Sequence, residues 1–589
     1  MKLFRLAVVA GLLLMSATAF GQDAAWFRVS SPNFLLYTDT TEAKGERLLT
    51  DFEKRVDGFE AAFGTLRPRQ FPIEVFLFKD HTDYLTAMPK QPLVNGVAPA
   101  EKNGYLVTGP DRVFIIAKDK SPEDISNDVG HALGHVLFEH QVMWRPFWLN
   151  EAAAEYVRKL GRNPDIKPVS EKDAFAVDDL LTIVPSATYQ DSDPGGAFRV
   201  QSFRLLQWML KNKPDALPKL LTLLGREDGR DAKPDLATDA VEKDLSAYVE
   251  TSVPMPPTDP ALRSGSADLA EVNVHRGDLM LAMDKGSDAA KYYNANSSEA
   301  RAARAILTRF TRSLAEAIPA LSSAAQDLQD NGLVQYHFGA LNIEQGKELP
   351  NQRAALERAV KLLPDFGRAY AELARLYALT GDANKSMPLI AKALELAPEY
   401  ADHTYEIRAG VLMALSRYED AFASIQLAEV LPHTDRKTLE AFSNKVETVR
   451  KQIENARRAN DRKEVDRLRQ QVEAQVNERE PVKPPPPEVR IPDGTINYQI
   501  AATLTLDVDN AVYPEYPETL RKQGKSGKIN LRVEIAPDGK VKSATITSSQ
   551  FPEMNADTVE AVKQWMFKLP PRTRTTPVAI TIAFTYALK

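Results

Sequence analysis

The sequence contains no cysteine among its 589 residues. Disulfides, thiolate zinc sites, iron–sulfur clusters and a cysteine nucleophile are therefore excluded, and so is a lipid anchor on a cysteine that follows a signal sequence. The hydrophobic content of 43%, with 26% charged residues, is typical of a soluble chain with apolar cores. A metal site would have to be built from Asp, Glu and the eight histidines.

The length and the charge of the chain narrow its class further. At roughly 150 residues per domain, the length suggests about four folded units. The chain has 74 Lys and Arg against 80 Asp and Glu, a formal net charge of −6. This charge is close to neutral for such a length, so we do not expect nucleic acid as a partner.

The N-terminus has the pattern of a secretory signal peptide. A basic start precedes the apolar run Leu6–Met15, and small residues follow it. The run is shorter than the roughly 20 residues that cross a bilayer, so we expect a signal peptide over residues 1–19 rather than a membrane anchor. Cleavage is expected after Ala19, with Gly21 as the alternative. The mature protein is then exported, periplasmic or extracellular, and has no transmembrane span.

Residues 20–252 mix strand and helix patterns, which predicts an α+β head domain. The predicted strands are Phe34–Tyr37, Ile73–Phe78 and Val113–Ala117, and the predicted helices are Glu42–Phe63, Asp128–His140, Trp148–Leu160 and Phe203–Leu224. Ile73–Phe78 alternates in the manner of a half-buried strand. A proline-rich loop over residues 253–257 is expected to end the domain.

Residues 265–435 are almost entirely helical in pattern, with a period of about 34 residues. In the clearest unit, Gly367–Tyr400, alanines stand where two helices would touch, aromatic residues fill between them, and Pro398 would stop the second helix. These positions resemble those of a tetratricopeptide repeat, and Leu333–Pro364 and Asp402–Pro432 resemble diverged neighbours. The resemblance implies an all-α solenoid whose groove binds protein or peptide partners.

Two further segments connect the array to the C-terminal region. Residues 436–480 carry apolar residues at helical spacing in two stretches that are out of phase, which predicts a charged helix or a helical hairpin rather than a coiled coil. Residues 481–497 contain four consecutive prolines and are expected to form a stiff extended linker.

Two histidines four residues apart, His131 and His135, fall on a predicted helix, so that both imidazoles project from one face. That spacing supplies two of the four ligands of a zinc ion. Glu151, near the start of the next predicted helix, is the candidate third ligand. The sequence therefore predicts a metal site made of His131, His135 and Glu151.

The head resembles the peptidase MA-like family of gluzincin metallopeptidases, most closely over Gly130–Tyr156. In that family a His-Glu-x-x-His helix is followed by a Trp-Leu-Asn-Glu-Gly segment, and here residues 148–151 read Trp-Leu-Asn-Glu. The resemblance implies a gluzincin-like fold and one zinc ion. The general base of the family is the glutamate after the first histidine, and that position here is Ala132. The glycine that follows Asn-Glu is also replaced, by Ala152.

Ala132 leaves three interpretations open. The histidines pack or cap a helix in a degenerate fold, or a zinc site persists without efficient hydrolysis, or a hydrolase works with an unconventional base. Loss of a positioned general base typically lowers a rate by about 10²–10⁴-fold. Glu139 is rotated away from the position of a base, and Glu155 is expected at the surface or behind the ligands. We therefore assign no catalytic residue.

Residues 498–589 return to strand patterns. The predicted strands are Thr503–Val508, Gly527–Ile535, Val541–Ser548 and Val578–Ala587, with one helix at Asn555–Phe567. Asp538 and Gly539 predict a tight hairpin turn. The region from about Ala511 to the end resembles the TonB C-terminal domain, in residues Tyr513 to Pro517, Gly524, Gly527, Asp538, Gly539, Ser548, Ser549, Asn555, Ala556, Trp565, Phe567 and Pro570. The resemblance implies an α+β domain that pairs with a partner's peptide at its sheet edge.

Two functions follow from these patterns. The first is an exported multidomain envelope protein that binds or scaffolds protein partners through its repeats and its TonB-like domain, with an inactive metallopeptidase-like head, a pseudoenzyme. The second is a secreted zinc metallopeptidase of the gluzincin type with an unconventional base. Ala132 favours the first.

Overall fold

The computed structural model describes residues 25–90, 100–164, 174–183, 196–246, 250–341, 349–432, 439–477, 494–499, 507–510, 517–523, 527–568 and 578–588, with Val512, Pro514 and Lys525. The expected signal peptide, residues 481–493 of the expected proline-rich linker and most of the strand expected at Thr503–Val508 lie outside these residues. The expected end of the linker at residue 497 is wrong, because residues 494–497 belong to a strand. In the described part of the chain, no helix combines the length and the apolar content needed to cross a bilayer.

The chain divides into two compact units. The larger one contains the described residues up to Leu181 and from Gly196 to Asp466, which include the head and the helical array. The smaller one contains the described residues from Arg467 onward, together with Thr182 and Ile183.

The head is built on a six-stranded mixed sheet in the order β4-β5-β3-β2-β1-β6. Its strands are β1 (Phe27–Ser30), β2 (Phe34–Thr38), β3 (Ile73–Phe78), β4 (Gly104–Thr108), β5 (Val113–Lys118) and β6 (Arg263–Ser266). The central strands β2, β3 and β5 are parallel, with Leu36 opposite Val75 and Val75 opposite Ile115. They confirm the three predicted strands. The half-buried pattern expected for β3 is wrong, because all six of its residues are buried at the centre of the sheet.

The first three helices of the head pack on this sheet, and later ones pack on other helices. The helices of the head are α1 (Glu42–Phe63), α2 (His81–Ala87), α3 (Pro122–Glu139), α4 (Phe147–Lys159), α5 (Val177–Thr182), α6 (Ala197–Asn212), α7 (Ala216–Leu224) and α8 (Thr238–Ser246). Helix α1 confirms its prediction, since the Thr41 side chain caps its first turn and Gly64, at φ 88°, ends it. The single helix expected over 203–224 is wrong. The chain breaks between α6 and α7 at Pro214, which has no N–H for the helical ladder.

The array consists of helices that pack on their neighbours in the sequence, as in a repeat solenoid. They are α9 (Leu269–Ala282), α10 (Gly286–Tyr292), α11 (Ser298–Thr311), α12 (Leu314–Asp327), α13 (Gly332–Gly339), α14 (Leu349–Leu362), α15 (Gly367–Leu379), α16 (Ser386–Leu396), α17 (Ala401–Ala414) and α18 (Tyr418–Val430). In the predicted unit, α15 packs on α16 with Ala374 and Ala393 buried between them. Helix α16 ends just before Pro398, as expected.

The first helices of the array share a core with the head. Val272 and Leu279 of α9 and Leu307 of α11 belong to one buried cluster with Tyr37 and Phe76 of the sheet. In addition, β6 returns to the head after the proline-rich loop and pairs with β1. The sequence pattern changes near residue 252, but the apolar core continues across that point.

Helix α19 runs without a break over Leu439–Asn477. Of the two arrangements expected for this segment, the chain forms the single helix. Val446 and Ile453 are buried, which anchors the first part of the helix.

The smaller unit contains a four-stranded sheet in the order β10-β9-β12-β7 and a two-stranded sheet of β8 and β11. Its elements are β7 (Gly494–Gln499), β8 (Asp507–Asn510), α20 (Glu518–Lys522), β9 (Gly527–Ile535), β10 (Val541–Ser549), α21 (Asn555–Lys563), β11 (Met566–Lys568) and β12 (Val578–Leu588). The turn between β9 and β10 places Gly539 at φ 86°, which confirms the predicted hairpin.

The helix expected at Asn555–Phe567 is shorter than predicted, and Phe567 lies in β11 opposite Val508. Side-chain packing explains why the helix ends at Lys563. Trp565 and Phe567 both enter the core of this unit, and the indole Nε1 of Trp565 donates to the Val512 carbonyl at 2.6 Å. A continued helix would turn these two side chains to different faces.

Candidate metal centre

Helix α3 carries the two predicted histidine ligands. It begins with a Ser121 cap and Pro122 at its first position, a combination that favours a helix start. Its apolar stripe, which includes Val129, Leu133 and Leu137, is buried. His131 and His135 occupy a different face and are about one quarter exposed. The histidines are thus held on a helix whose position is set by its apolar stripe.

Helix α4 brings Glu151 to that face, because α3 and α4 pack at unusually short range. A side-chain carbon added at Gly134 would lie 2.6 Å from the Cα of Ala154. At Gly130 it would lie 3.2 Å from the Cα of Arg158. Each glycine stands directly before one of the two histidines. These glycines are a signal that the sequence analysis missed, since at this spacing they mark a close helix crossing.

The three predicted ligands converge. Nε2 of His131 lies 3.1 Å from Nε2 of His135 and 3.4 Å from Oε2 of Glu151. Nε2 of His135 lies 3.7 Å from Oε1 of Glu151. For zinc bonds of about 2.0–2.1 Å, tetrahedral geometry places two ligand atoms about 3.3 Å apart. Among the described residues, this is the group of three or more His, Asp or Glu side chains close enough to share a metal ion.

Two further residues contact the imidazoles at Nδ1, on the side away from the other ligands. Nδ1 of His135 lies 2.9 Å from Oδ1 of Asn150, so this nitrogen carries the proton and Nε2 is left with its lone pair toward the other ligands. Nδ1 of His131 lies 2.9 Å from Oε1 of Glu155, although out of line for a regular hydrogen bond. Glu155 is buried, and Arg158 holds its other oxygen at 2.6 Å. Of the two positions expected for Glu155, it takes the one behind the ligands.

The protonation of the cluster follows from these contacts. Burial lowers the pKa of His135, and the nearby charge of His131 lowers it further. Burial favours a neutral His131, but the nearby carboxylates of Glu151 and Glu155 outweigh it and raise its pKa. Burial also opposes ionisation of the two carboxyls. Contact with His131 nevertheless lowers the pKa of Glu151. Contacts with His131 and Arg158 bring the pKa of Glu155 to about 2. The cluster therefore holds two carboxylates at neutral pH.

The other residues considered for catalysis do not join the cluster. Ala132 follows His131 and offers no proton acceptor. Glu139 is paired with Arg145 at 3.3 Å. His140, at the end of α3, lies 3.0 Å from the carboxylate of Glu399 in the array. None of these three residues supplies a carboxylate to the cluster.

The comparison with protein families identifies the C-terminal region. Residues 512–588 match the family model of the Gram-negative bacterial TonB protein C-terminal. The chain carries a TonB C-terminal domain. This match confirms the resemblance predicted from the residues between Tyr513 and Pro570, and the matched residues include the buried core around Trp565.

The similarity of this chain to whole known proteins is weaker. No curated protein matches this chain. A solved structure, that of a thermophilic TPR protein from Thermus thermophilus, aligns at 16% identity over 30% of this chain and 98% of its own length, with a TM-score of 0.24. The repeat architecture rests on the packing of successive helices in the array. The resemblance of the head to the peptidase MA-like family stays a prediction.

Proposed function

We propose that this protein is an exported envelope protein that binds and scaffolds protein partners, with a zinc-binding head that lacks efficient hydrolysis. The observation that carries the scaffold function is the TonB C-terminal domain on the same chain as a helical array. TonB proteins belong to the Gram-negative envelope, and this supports a periplasmic location. The four-stranded sheet of the domain has β10 and β7 at its two edges, where a partner's strand can add.

The scaffold function is tested by removing the domain. A chain lacking residues 494–589 and the full chain are expressed at equal levels, and envelope proteins cross-linked to each are compared. We expect the deletion to lose at least one partner and to leave the head folded. Trp565→Ala, which removes the largest side chain of the domain's core, should lose the same partner. An unchanged partner set in both variants would contradict the proposal.

The zinc site rests on a separate observation, the convergence of His131, His135 and Glu151. Two imidazoles and one carboxylate are ligands that zinc prefers, and three protein ligands leave a position for water. Bound zinc would lower the pKa of such a water. The supporting groups Asn150 and Glu155 argue against histidines that only pack, because each lies against an imidazole at the nitrogen that faces away from the cluster.

Metal analysis of the purified protein tests this site. We expect one zinc ion per chain, lost in His131→Ala and retained in His140→Ala, a histidine directly after the same helix and outside the cluster. No zinc in the native protein would overturn the proposal. The alternative function, a working zinc metallopeptidase, requires zinc-dependent hydrolysis of a peptide library by the unmodified chain. We expect none above the rate of His131→Ala, because Ala132 cannot accept a proton.

A further inference from the structure

A cavity of about 440 Å³ lies between the head and the first helices of the array; we call it the junction cavity. Its walls come from the turn between β4 and β5, from β5, and from α9, α11 and the start of α13. Since α9 and α11 share the buried core of the head, apolar packing holds these walls in place. The volume is within the range of about 300–1,000 Å³ that small-molecule sites occupy, and such sites are frequent where two parts of a chain meet.

Part of the wall of the junction cavity is apolar. It is lined by Val274 and Leu281 of α9 and by Ala302, Ala303 and Ile306 of α11. The two alanines leave space that longer side chains would fill. A ligand with a hydrocarbon segment can bury that segment here, because removal of apolar surface from water is favourable.

The polar lining of the junction cavity is mainly acidic. Glu271 lies in the first turn of α9, and Glu299 lies in the first turn of α11. Asp278 follows Glu271 by seven residues and is therefore about 10 Å further along α9. Asp111 precedes Arg112, which lies 3.0 Å from Asp278, so Asp111 belongs to the same end of the cavity as Asp278. Carboxylates thus stand toward both ends of the cavity.

The basic residues of the lining are already paired. Among the described residues that line the cavity, Arg112 is the single Lys or Arg. Its Nη1 lies 2.7 Å from Oε1 of Glu74 and 3.0 Å from Oδ2 of Asp278. Nδ1 of His275 lies 2.9 Å from the other oxygen of Glu74. An anionic ligand would therefore have to compete with Glu74 and Asp278 for these groups.

Three carboxylates of the lining lack a Lys or Arg partner. Among the described residues, no Lys or Arg forms an ion pair with Asp268 or Glu299, and Asp111 is bonded through Oδ2 to the imidazole of His337. Oδ1 of Asp111 is buried without a hydrogen-bond partner in the described part of the chain, which carries a desolvation cost. Negative charge on a concave surface of low dielectric constant attracts cations. The junction cavity is therefore suited to a positively charged ligand.

We propose that the junction cavity binds a linear aliphatic diamine or polyamine, with its methylene chain along the apolar wall and an ammonium group toward each acidic end. Such a cation supplies what the lining lacks, namely positive charge beside the carboxylates and apolar surface against α9 and α11. The bound amine contacts both the head and the array. The site is separate from the C-terminal domain and from the three metal ligands, and it goes beyond the proposed scaffold function.

The experiment is a calorimetric titration of the full chain with octanediamine, octanediol and octanedioate, which carry their two functional groups at the ends of the same eight-carbon chain. We expect the diamine to bind about tenfold or more tightly than the diol, because the ammonium groups add ion pairs to the same apolar contact. The dianion should not bind. Binding of the diamine should weaken as the salt concentration rises.

Four variants locate the binding in the cavity. Asp268→Asn and Glu299→Gln each remove one charge at nearly constant shape, and Asn still caps α9. Each should weaken diamine binding by about twofold to fivefold, the scale of one exposed ion pair, and the double variant by more. Ala270→Leu narrows the cavity without changing its charge and should weaken the diamine and the diol alike. Glu316→Gln, in the first turn of α12 and outside the lining, is the matched control and should bind as the native chain does.

Three results would overturn the proposal. The first is the absence of diamine binding to the full chain. The second is equal diamine binding by the native chain, the double variant and the Ala270→Leu chain, which would place the amine elsewhere on the surface. The third is binding of the diol as tight as that of the diamine, which would mean that the carboxylates select nothing. Failure of the scaffold function is measured instead by the partners lost on deletion of residues 494–589, so the two outcomes are independent.

Discussion

The carboxylate of Glu155 lies 2.9 Å from Nδ1 of His131, on the opposite side of the imidazole from the Nε2 that faces Glu151. The side chain of Glu155 is only 5% exposed, and Arg158 holds it from the other side. A carboxylate in this position orients a histidine ligand and makes it more basic. Glu155 therefore adds an orienting residue to the three candidate ligands of the metal centre.

Replacing Glu155 with Gln should weaken zinc binding by about 10–100-fold, the usual effect of losing such a support. The amide keeps the size of the side chain and loses its charge. Zinc affinity is measured by competition with a chelator of known affinity. Glu139→Gln, at the end of the helix that carries the two histidines but paired with Arg145, is the control and should keep native affinity. Equal affinities for the Glu155→Gln and native chains would show that Glu155 has no part in the site.

Replacing Ala132 with Glu should create or greatly raise zinc-dependent peptide hydrolysis. The new carboxylate would stand directly after His131, where the resembling family has its general base, and such a base typically contributes about 10²–10⁴-fold. Hydrolysis of a fluorogenic peptide library is the measurement, and Ala132→Gln, of the same shape but unable to take a proton, is the control. If Ala132→Glu binds zinc and hydrolyses no faster than Ala132→Gln, other parts of the substrate site are missing as well.

Replacing Gly134 with Ala should destabilise the larger unit by about 1–3 kcal/mol, the usual cost of forcing extra volume into a packed contact. The added carbon meets the backbone of Ala154 at 2.6 Å, so α3 and α4 have to separate, and zinc binding should weaken with them. Urea denaturation measures the change in the free energy of unfolding. Gly410→Ala on α17 has open space and should instead stabilise by about 0.5–1 kcal/mol through helix propensity. Equal effects of the two substitutions would be inconsistent with a close helix crossing.

Replacing Asp111 with Asn should lower stability at neutral pH and have a smaller effect in acid. Burial opposes ionisation of Asp111, but the His337 ring with its hydrogen bond, and then the Arg368 and Arg112 charges, hold its pKa at about 2, below the ordinary 3.8. A depressed pKa adds stability that is present above the ordinary value and is lost as the pH falls toward the folded value. The shift corresponds to about 2 kcal/mol at neutral pH, vanishing between pH of about 4 and about 2.

The free energy of unfolding of the Asp111→Asn and native chains is compared at several pH values to measure this effect. Asp119→Asn is the control, and as a surface substitution it should stay within about 0.5 kcal/mol of the native chain. A difference between the Asp111→Asn and native chains that is independent of pH would argue that the charge of Asp111 contributes nothing to the contact.

Much of the secondary structure could be predicted from the residues alone. Helix α1, strands β3 and β9 and the turn at Gly539 all depend on periods or dihedral preferences that a few neighbouring residues determine. The predictions that failed concern elements whose bounds or pairing depend on contacts with residues far away in the sequence. The helix expected to reach Phe567 ends earlier because Trp565 and Phe567 both enter one core, and β6 was missed because its pairing partner lies far away in the chain.

The same division applies to the candidate site. The spacing of His131 and His135 determines by itself that both imidazoles share a helix face, because that relationship is local. Their convergence with Glu151, and the support from Glu155, depends on how closely α3 and α4 pack. Likewise, no sequence pattern linked Asp111 with His337, which are 226 residues apart and meet only because the head folds back onto the array. Local periodicity determined the elements of this protein, and the burial of their faces against distant segments decided which side chains meet.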